Sequence, residues 1–171
     1  HNVRGGSLTY SGDYFGVYSL MEKIKRDDSR VPVARIDPRA SREPAVSGGY
    51  MFKKDRLDPG DGGFNVAGLG RLGWVEPKER EVSSRQRAWL VAHMNEVNAA
   101  ISAGNGVNPA TGKHFTEYID QFSWLRHHWL NTLAMNVDGF RLSGYYYKHR
   151  NDTNDGKIGA GPIWDFDRTM G

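Results

Sequence analysis

Three carboxylates carry the chemistry of this chain. Asp165 and Asp167 flank Phe166 in the run Trp164-Asp165-Phe166-Asp167-Arg168, and Asp138 stands in Asn136-Val137-Asp138, just after a long amphipathic stretch. An Asp at the end of a helix, followed one hairpin later by a strand-end acidic pair, matches the division of labour in phosphoryl transfer. One carboxylate orients or deprotonates the acceptor hydroxyl, and the others hold Mg²⁺. Carboxylates converging on one cleft repel each other unless a cation lies between them. The plainer alternative is two strand-end Asp residues and one helix-terminal Asp, all facing solvent.

The elements that must position these residues lie in the second half. Ser83 or Ser84 can cap a helix over about 84–102, with Trp89, Leu90, Met94, Val97 and Ile101 on one face and Gly104 to Gly106 ending it. Asp120 caps a second helix over about 120–136, whose Trp124, Leu125, Trp129, Leu130 and Leu133 form an apolar stripe. That helix delivers Asn136 and Asp138 at its C-terminal end. Leu142 to Lys148 reads as a tyrosine-rich strand, Asn151 to Gly156 as a turn, and Ile158 to Phe166 as the returning strand. The hairpin thereby brings Asp165 and Asp167 back beside Asp138.

The first half is less regular. Phe15 to Ile24 alternates, Val17, Ser19 and Met21 against Tyr18 and Leu20, which predicts a strand after a tight Ser11-Gly12-Asp13 turn. Glu22 to Arg30 and the Pro-punctuated Val31 to Pro44 read as a linker or surface excursion. Gly49 to Lys53 predicts another strand, and the Gly-rich 58–73 segment has too few apolar side chains for a core of its own.

Composition limits the function classes. A chain of 171 residues can bury a core without a second domain. The absence of cysteine excludes disulfides and thiolate zinc sites, and it suits a cytosolic or an exported protein alike. A net charge of +3 spread through mixed runs such as Lys78-Glu79-Arg80-Glu81 lacks the basic stripe of a nucleic-acid binder. No apolar run is long enough for a membrane span, and no signal peptide is visible.

Several blocks, taken in order, resemble the spore coat protein H (CotH) kinase family. They are Tyr14-Phe15-Gly16-Val17-Tyr18-Ser19-Leu20-Met21-Glu22-Lys23-Ile24, Gly48 to Asp55, Tyr118-Ile119-Asp120, Asn136 to Phe140, Tyr145 to Lys148 and Gly161 to Asp167. The resemblance implies an α+β, atypical protein-kinase-like fold that transfers phosphate from ATP to Ser or Thr of secreted or coat proteins. It implies a bacterial protein of the cell surface, spore coat or extracellular space. On this chain the family's catalytic Asp falls on Asp138 and its metal-binding Asp on Asp165, with Asp167 close behind. The metal is Mg²⁺, with Mn²⁺ or Ca²⁺ as alternatives.

The same resemblance makes residues 1–24 the end of an N-lobe sheet and its hinge, and 25–171 an incomplete C-lobe. Glu22 and Lys23 then fall at the nucleotide, Glu22 as an acceptor for ribose hydroxyls, although an exposed ion pair explains Glu22 equally. Asn136 is a further candidate at the metal and nucleotide. Lys148 and Arg141 are candidates for steadying the transferring phosphoryl group, each with a competing place as a strand-surface charge.

Departures accompany the matches. The segment before the hinge is too short for a phosphate-covering Gly loop and an N-lobe lysine, and Arg4-Gly5-Gly6-Ser7 does not supply them. The expectation is therefore either a portion of a longer polypeptide or a degenerate N-lobe. Ser143 stands five residues beyond Asp138, where kinases place a metal-binding Asn.

Other chemistries find less support. Adjacent His127 and His128 point about 100° apart on a helix and cannot chelate one ion together. Asp165 and Asp167, about 7 Å apart on one strand face, could in principle serve a glycosidase or hold Ca²⁺. The non-enzyme alternative is accordingly a metal-stabilised structural or surface-binding module of a larger exported protein.

Overall fold

The computed structural model describes residues 9–18 and 20–170. The Arg4-Gly5-Gly6-Ser7 run and Ser19 lie outside the described residues. A five-stranded antiparallel sheet is built from β1 (Tyr50–Lys54), β2 (Gly63–Val66), β3 (Gly70–Glu76), β4 (Gly144–Lys148) and β5 (Ile158–Ala160). Its order is β2-β3-β1-β4-β5. Helix α1 (Tyr10–Asp13) is a single turn, while α2 (Ser84–Ser102) and α3 (Gln121–Leu133) separate β3 from β4.

Strand β1 is central because its residues are aromatic or apolar on both faces. Phe52 lies opposite Trp74 of β3 on one edge and Tyr146 of β4 on the other. Tyr50, Phe52, Phe64, Val66, Leu72 and Trp74 meet Leu90, Met94, Val97 and Ala100 of α2 to make the main core. A second cluster joins Val31, Val33, Met51, Val75 and Tyr145, with Trp164 packed against it.

Helix α2 keeps its expected ends and buries Leu90, Met94 and Val97, while Ile101, expected on the same face, is exposed. The Ser83 hydroxyl accepts from Gln86 N at 3.3 Å, and Gln86 Oε1 accepts from Ser83 N at 3.0 Å, closing both ends of a capping box. The buried Gln86 amide also donates to Asp37 O at 2.7 Å and Ala40 O at 3.2 Å. That bond ties down the segment expected to be a surface excursion. Val31, Val33, Ile36 and Val46 are in fact buried, so the stretch is part of the core despite its prolines and charges.

One further expectation holds through its neighbours, and one changes. The Gly-rich 58–73 segment supplies β2 and most of β3. Its few large side chains alternate onto the α2 face, and Gly68 at φ +75° makes the turn between the strands. By contrast Phe15 to Ile24 forms no strand among its described residues, and Val17 and Leu20 lie almost wholly in solvent. Alternation specifies a strand only where a neighbouring edge accepts its backbone hydrogen bonds.

At the far end of β4, Lys148 is completely buried. Its Nζ donates to Ser47 O at 2.9 Å, His149 O at 2.7 Å and Asn151 Oδ1 at 2.9 Å, under the Trp89 ring. Burial pulls this ammonium down to about 8. Beside it His93 stacks on Trp89 with ring centroids 5.0 Å apart, and its Nε2 is buried without a hydrogen-bond partner.

Burial, aided by the Lys148 and Lys113 charges, holds the His93 imidazole down to about 3 against an ordinary 6.5. The unfolded chain takes up this proton near pH 6.5 and the folded chain refuses it until far lower, so stability falls as pH drops through that window. One such proton contributes a slope of about 1.4 kcal/mol per pH unit. His127 and His149 are lowered as well and act with the same sign. Urea unfolding of His93→Phe at pH 7 and pH 5 is expected to show a pH dependence shallower by about that one proton. An unchanged dependence would mean that His93 charges in the folded protein.

Candidate functional site

The loop bearing Asp138 is shaped by the end of α3. Asp120 caps the helix as expected, accepting from Phe122 N at 3.1 Å. The face turned inward is not the expected stripe. His127 and Asn131 are buried, Trp124 is partly covered, and Leu125, Trp129, Leu130 and Leu133 are exposed. The helix is rotated because Trp124 Nε1 reaches Ile158 O at 2.9 Å and Asp120 N reaches the same carbonyl, docking this edge on β5.

Beyond the last turn, Met135 adopts φ 52° and Asn136 N returns to Asn131 O at 2.9 Å, as in a left-handed C-cap. Asn131 Oδ1 accepts from Asn136 Nδ2 at 3.0 Å, and Asn136 Oδ1 accepts from Asp138 N at 3.2 Å. Gly139 completes the arrangement, since a Cβ there would stand 2.0 Å from Asn131 Oδ1. Asn136 is buried, with both ends of its amide engaged inside the loop. It orders the backbone that presents Asp138, which is a different task from ligating a metal or nucleotide.

The Asp138 side chain is 20% exposed and paired at both oxygens. Arg141 donates to Oδ1 at 2.7 Å and Arg168 to Oδ2 at 3.5 Å. The hydrogen bond from Arg141 is the main cause of a carboxyl held below the usual range. The charges of Arg141, Arg168 and Arg56 add to it.

The acidic pair reaches the same place by a route other than a strand. Strand β5 ends at Ala160, and residues 161–166 continue without regular structure. The same-face argument for Asp165 and Asp167 therefore does not apply. Trp164 packs edge-on against Tyr145 at 5.9 Å, the Ser143 hydroxyl donates to Asp165 Oδ2 at 3.1 Å, and Met170 N donates to Ala134 O at 2.8 Å. These contacts lay 164–170 across the loop after α3. Ser143 and Asp165 both take positive φ, 56° and 61°. Asp167 is exposed on the turn that follows.

The remaining candidates divide. Glu22 pairs with Arg30. Glu22 and Lys23 line a cleft of about 280 Å³ whose opposite wall is Pro162 and Ile163, just upstream of Trp164 and Asp165. Lys148 does not join the site. It lies five residues along β4 from Ser143, about 16 Å at the rise of an extended strand, and buried acceptors surround its ammonium. Arg168 and Asn131 escaped sequence reasoning. Arg168 directly follows the acidic pair, which is a usable signal, whereas no local pattern marks Asn131 or Arg56.

Among the described residues no group of three or more His, Asp or Glu is placed to hold a metal. Asp165 and Asp167 are hard oxygen donors on an exposed segment, which suits Mg²⁺. That ion is commonly held by one or two carboxylates with substrate phosphates and water completing its shell.

The family model described as CotH kinase protein matches residues 3–171. No curated protein and no solved structure matches the chain.

The Asn131 bridge is testable by coupling. Asn131→Ala and Asn136→Ala each remove a partner from a buried polar atom and are expected to cost about 1–3 kcal/mol. The double variant should cost less than the sum by about 0.5–3 kcal/mol. Strict additivity in urea unfolding would show that the two amides do not support each other.

Proposed function

The chain belongs to the CotH kinase protein family, and from that premise we propose that it transfers a phosphoryl group from ATP to Ser or Thr hydroxyls of secreted or coat proteins. The observation that carries this reading is the meeting of two separate segments. The Asp138 loop and the Asp165 segment are joined by the Ser143 to Asp165 and Arg168 to Asp138 contacts.

Asp138 has the position to orient or deprotonate the acceptor hydroxyl. Asp165 and Asp167 are the residues that would hold Mg²⁺, which would supply charge neutralisation for the transferring phosphoryl group. Ser143 orients Asp165 through its hydrogen bond, a task within reach of a neutral hydroxyl that would be a poor metal ligand. Arg141 steadies phosphate oxygens, and the cleft at Glu22 and Lys23 receives the nucleoside end. In this reading residues 1–24 are the end of an N-lobe and hinge and residues 25–171 the C-lobe, within an exported or coat-associated bacterial polypeptide.

A second reading is favoured by the exposed Leu125, Trp129, Leu130 and Leu133 on α3: a non-catalytic binding module. No helix among the described residues is long and apolar enough to cross a membrane, so this face is not read as a membrane span.

Two variants separate these readings. Asp138→Asn is expected to keep ATP binding at least as tight as in the unaltered protein while turnover falls by about 10²–10⁴-fold, the usual share of a positioned acid or base. Asp165→Ala is expected to abolish the Mg²⁺ dependence of ATP binding in calorimetric titration. Normal Mg-ATP binding by Asp165→Ala would remove the metal assignment. ATP binding absent from the unaltered protein would favour the non-catalytic module.

A further inference from the structure

Asp138 is outnumbered by the cations around it. Arg141 approaches one carboxylate oxygen and Arg168 the other. Each of the two bonded arginines makes a single contact where a guanidinium can make a two-pronged one. Five N–H donors are fixed on each planar fork, so most remain available. The Arg141 and Arg168 side chains are 75% and 68% exposed, leaving those donors open to solvent. A lone carboxylate is a small partner for such a set; an anion with several oxygens matches it better. The nearest acids in sequence do not compete directly, since Asp165 is engaged by Ser143 and Asp167 is exposed on its turn.

We infer that Arg141 and Arg168 form a site for a polyphosphate chain, and that Asp138 occupies it until such an anion arrives. Arrival of the anion moves the guanidiniums from carboxylate to phosphate and frees the Asp138 oxygens for an acceptor hydroxyl. Arg168 is thus a positioning residue that couples nucleotide binding to exposure of Asp138. The inference rests on the phosphotransfer reading for its ligand, whereas the anion site itself does not require turnover.

Tripolyphosphate titrated into the protein in low salt with a chelator present tests the site without metal or adenine. Arg168→Gln and Arg141→Gln should each weaken binding by about tenfold, the worth of a charge-assisted hydrogen bond. Arg168→Lys keeps the charge without the fork and should recover only part of the loss. Asp138→Asn should tighten binding severalfold, because the resident competitor is gone. Unchanged unfolding midpoints verify that the variants are folded.

Binding indifferent to Arg168→Gln, or weakened by Asp138→Asn, overturns the inference. ATP binding tighter than tripolyphosphate supports the site as nucleotide-borne, and equal affinities support it as a site for the free chain. Absence of turnover beside an intact, Arg168-dependent anion site would sink the phosphotransfer reading alone. Turnover with no Arg168 effect on tripolyphosphate would sink only this one.

Discussion

The pairing of β1 on both of its edges is the constraint from which the site geometry follows. Residues 50–54 join a hairpin formed directly after them to one formed about 90 residues later. The register sets Lys54 opposite Gly144. The chain leaving β1 therefore emerges where the chain entering β4 arrives, which brings Arg56 to the Asp138 loop and sets Ser143 at the sheet edge. On the other side of β4, pairing with β5 sends residues 161–170 back over the same edge. Slippage by one residue would turn Phe52 and Tyr146 out of the core and would dissolve the site together with the fold.

This dependence also explains which features were legible in the sequence. Helix α2 was readable to its ends because the Ser83 or Ser84 cap and the Gly104 to Gly106 stop are local signals with local bonds. The β4–β5 hairpin was readable for a similar reason, through its tyrosines and the turn residues from Asn151 to Gly156. The inward face of α3 was not, since its orientation is set by Trp124 meeting a carbonyl of β5, a contact invisible to helical periodicity. Alternation at Phe15 to Ile24 looked more strand-like than the Gly-rich run that became β2 and β3. Edge availability decided between them, and no residue announces an edge.

The carboxylates were legible as a group, and their manner of coexistence was not. Electrostatics demanded that something relieve their repulsion, and a shared cation was the simplest device. In the structure each finds its own relief: Asp138 with arginines, Asp165 with a hydroxyl, Asp167 with solvent. Asp138 is thereby electrostatically tied to arginines while Asp165 and Asp167 are not.

Two of the same residues, Ser143 and Asp165, are among the six described non-glycine residues with a left-handed backbone. The chain uses glycine freely at positive φ elsewhere, at Gly49, Gly68, Gly70, Gly106 and Gly112, so it does not lack the cheap solution. At Ser143 and Asp165 it keeps a side chain on a left-handed backbone, at a cost of order 1–2 kcal/mol for each. Glycine at 143 would remove the hydroxyl that meets Asp165, and glycine at 165 would remove the carboxylate. The two strained residues hydrogen-bond to each other across the gap between β4 and the final segment, whereas Met135, Asn154, Asp155 and Met170 take the same region of backbone outside that pairing, so at 143 and 165 alone the left-handed backbone carries two side chains that meet each other.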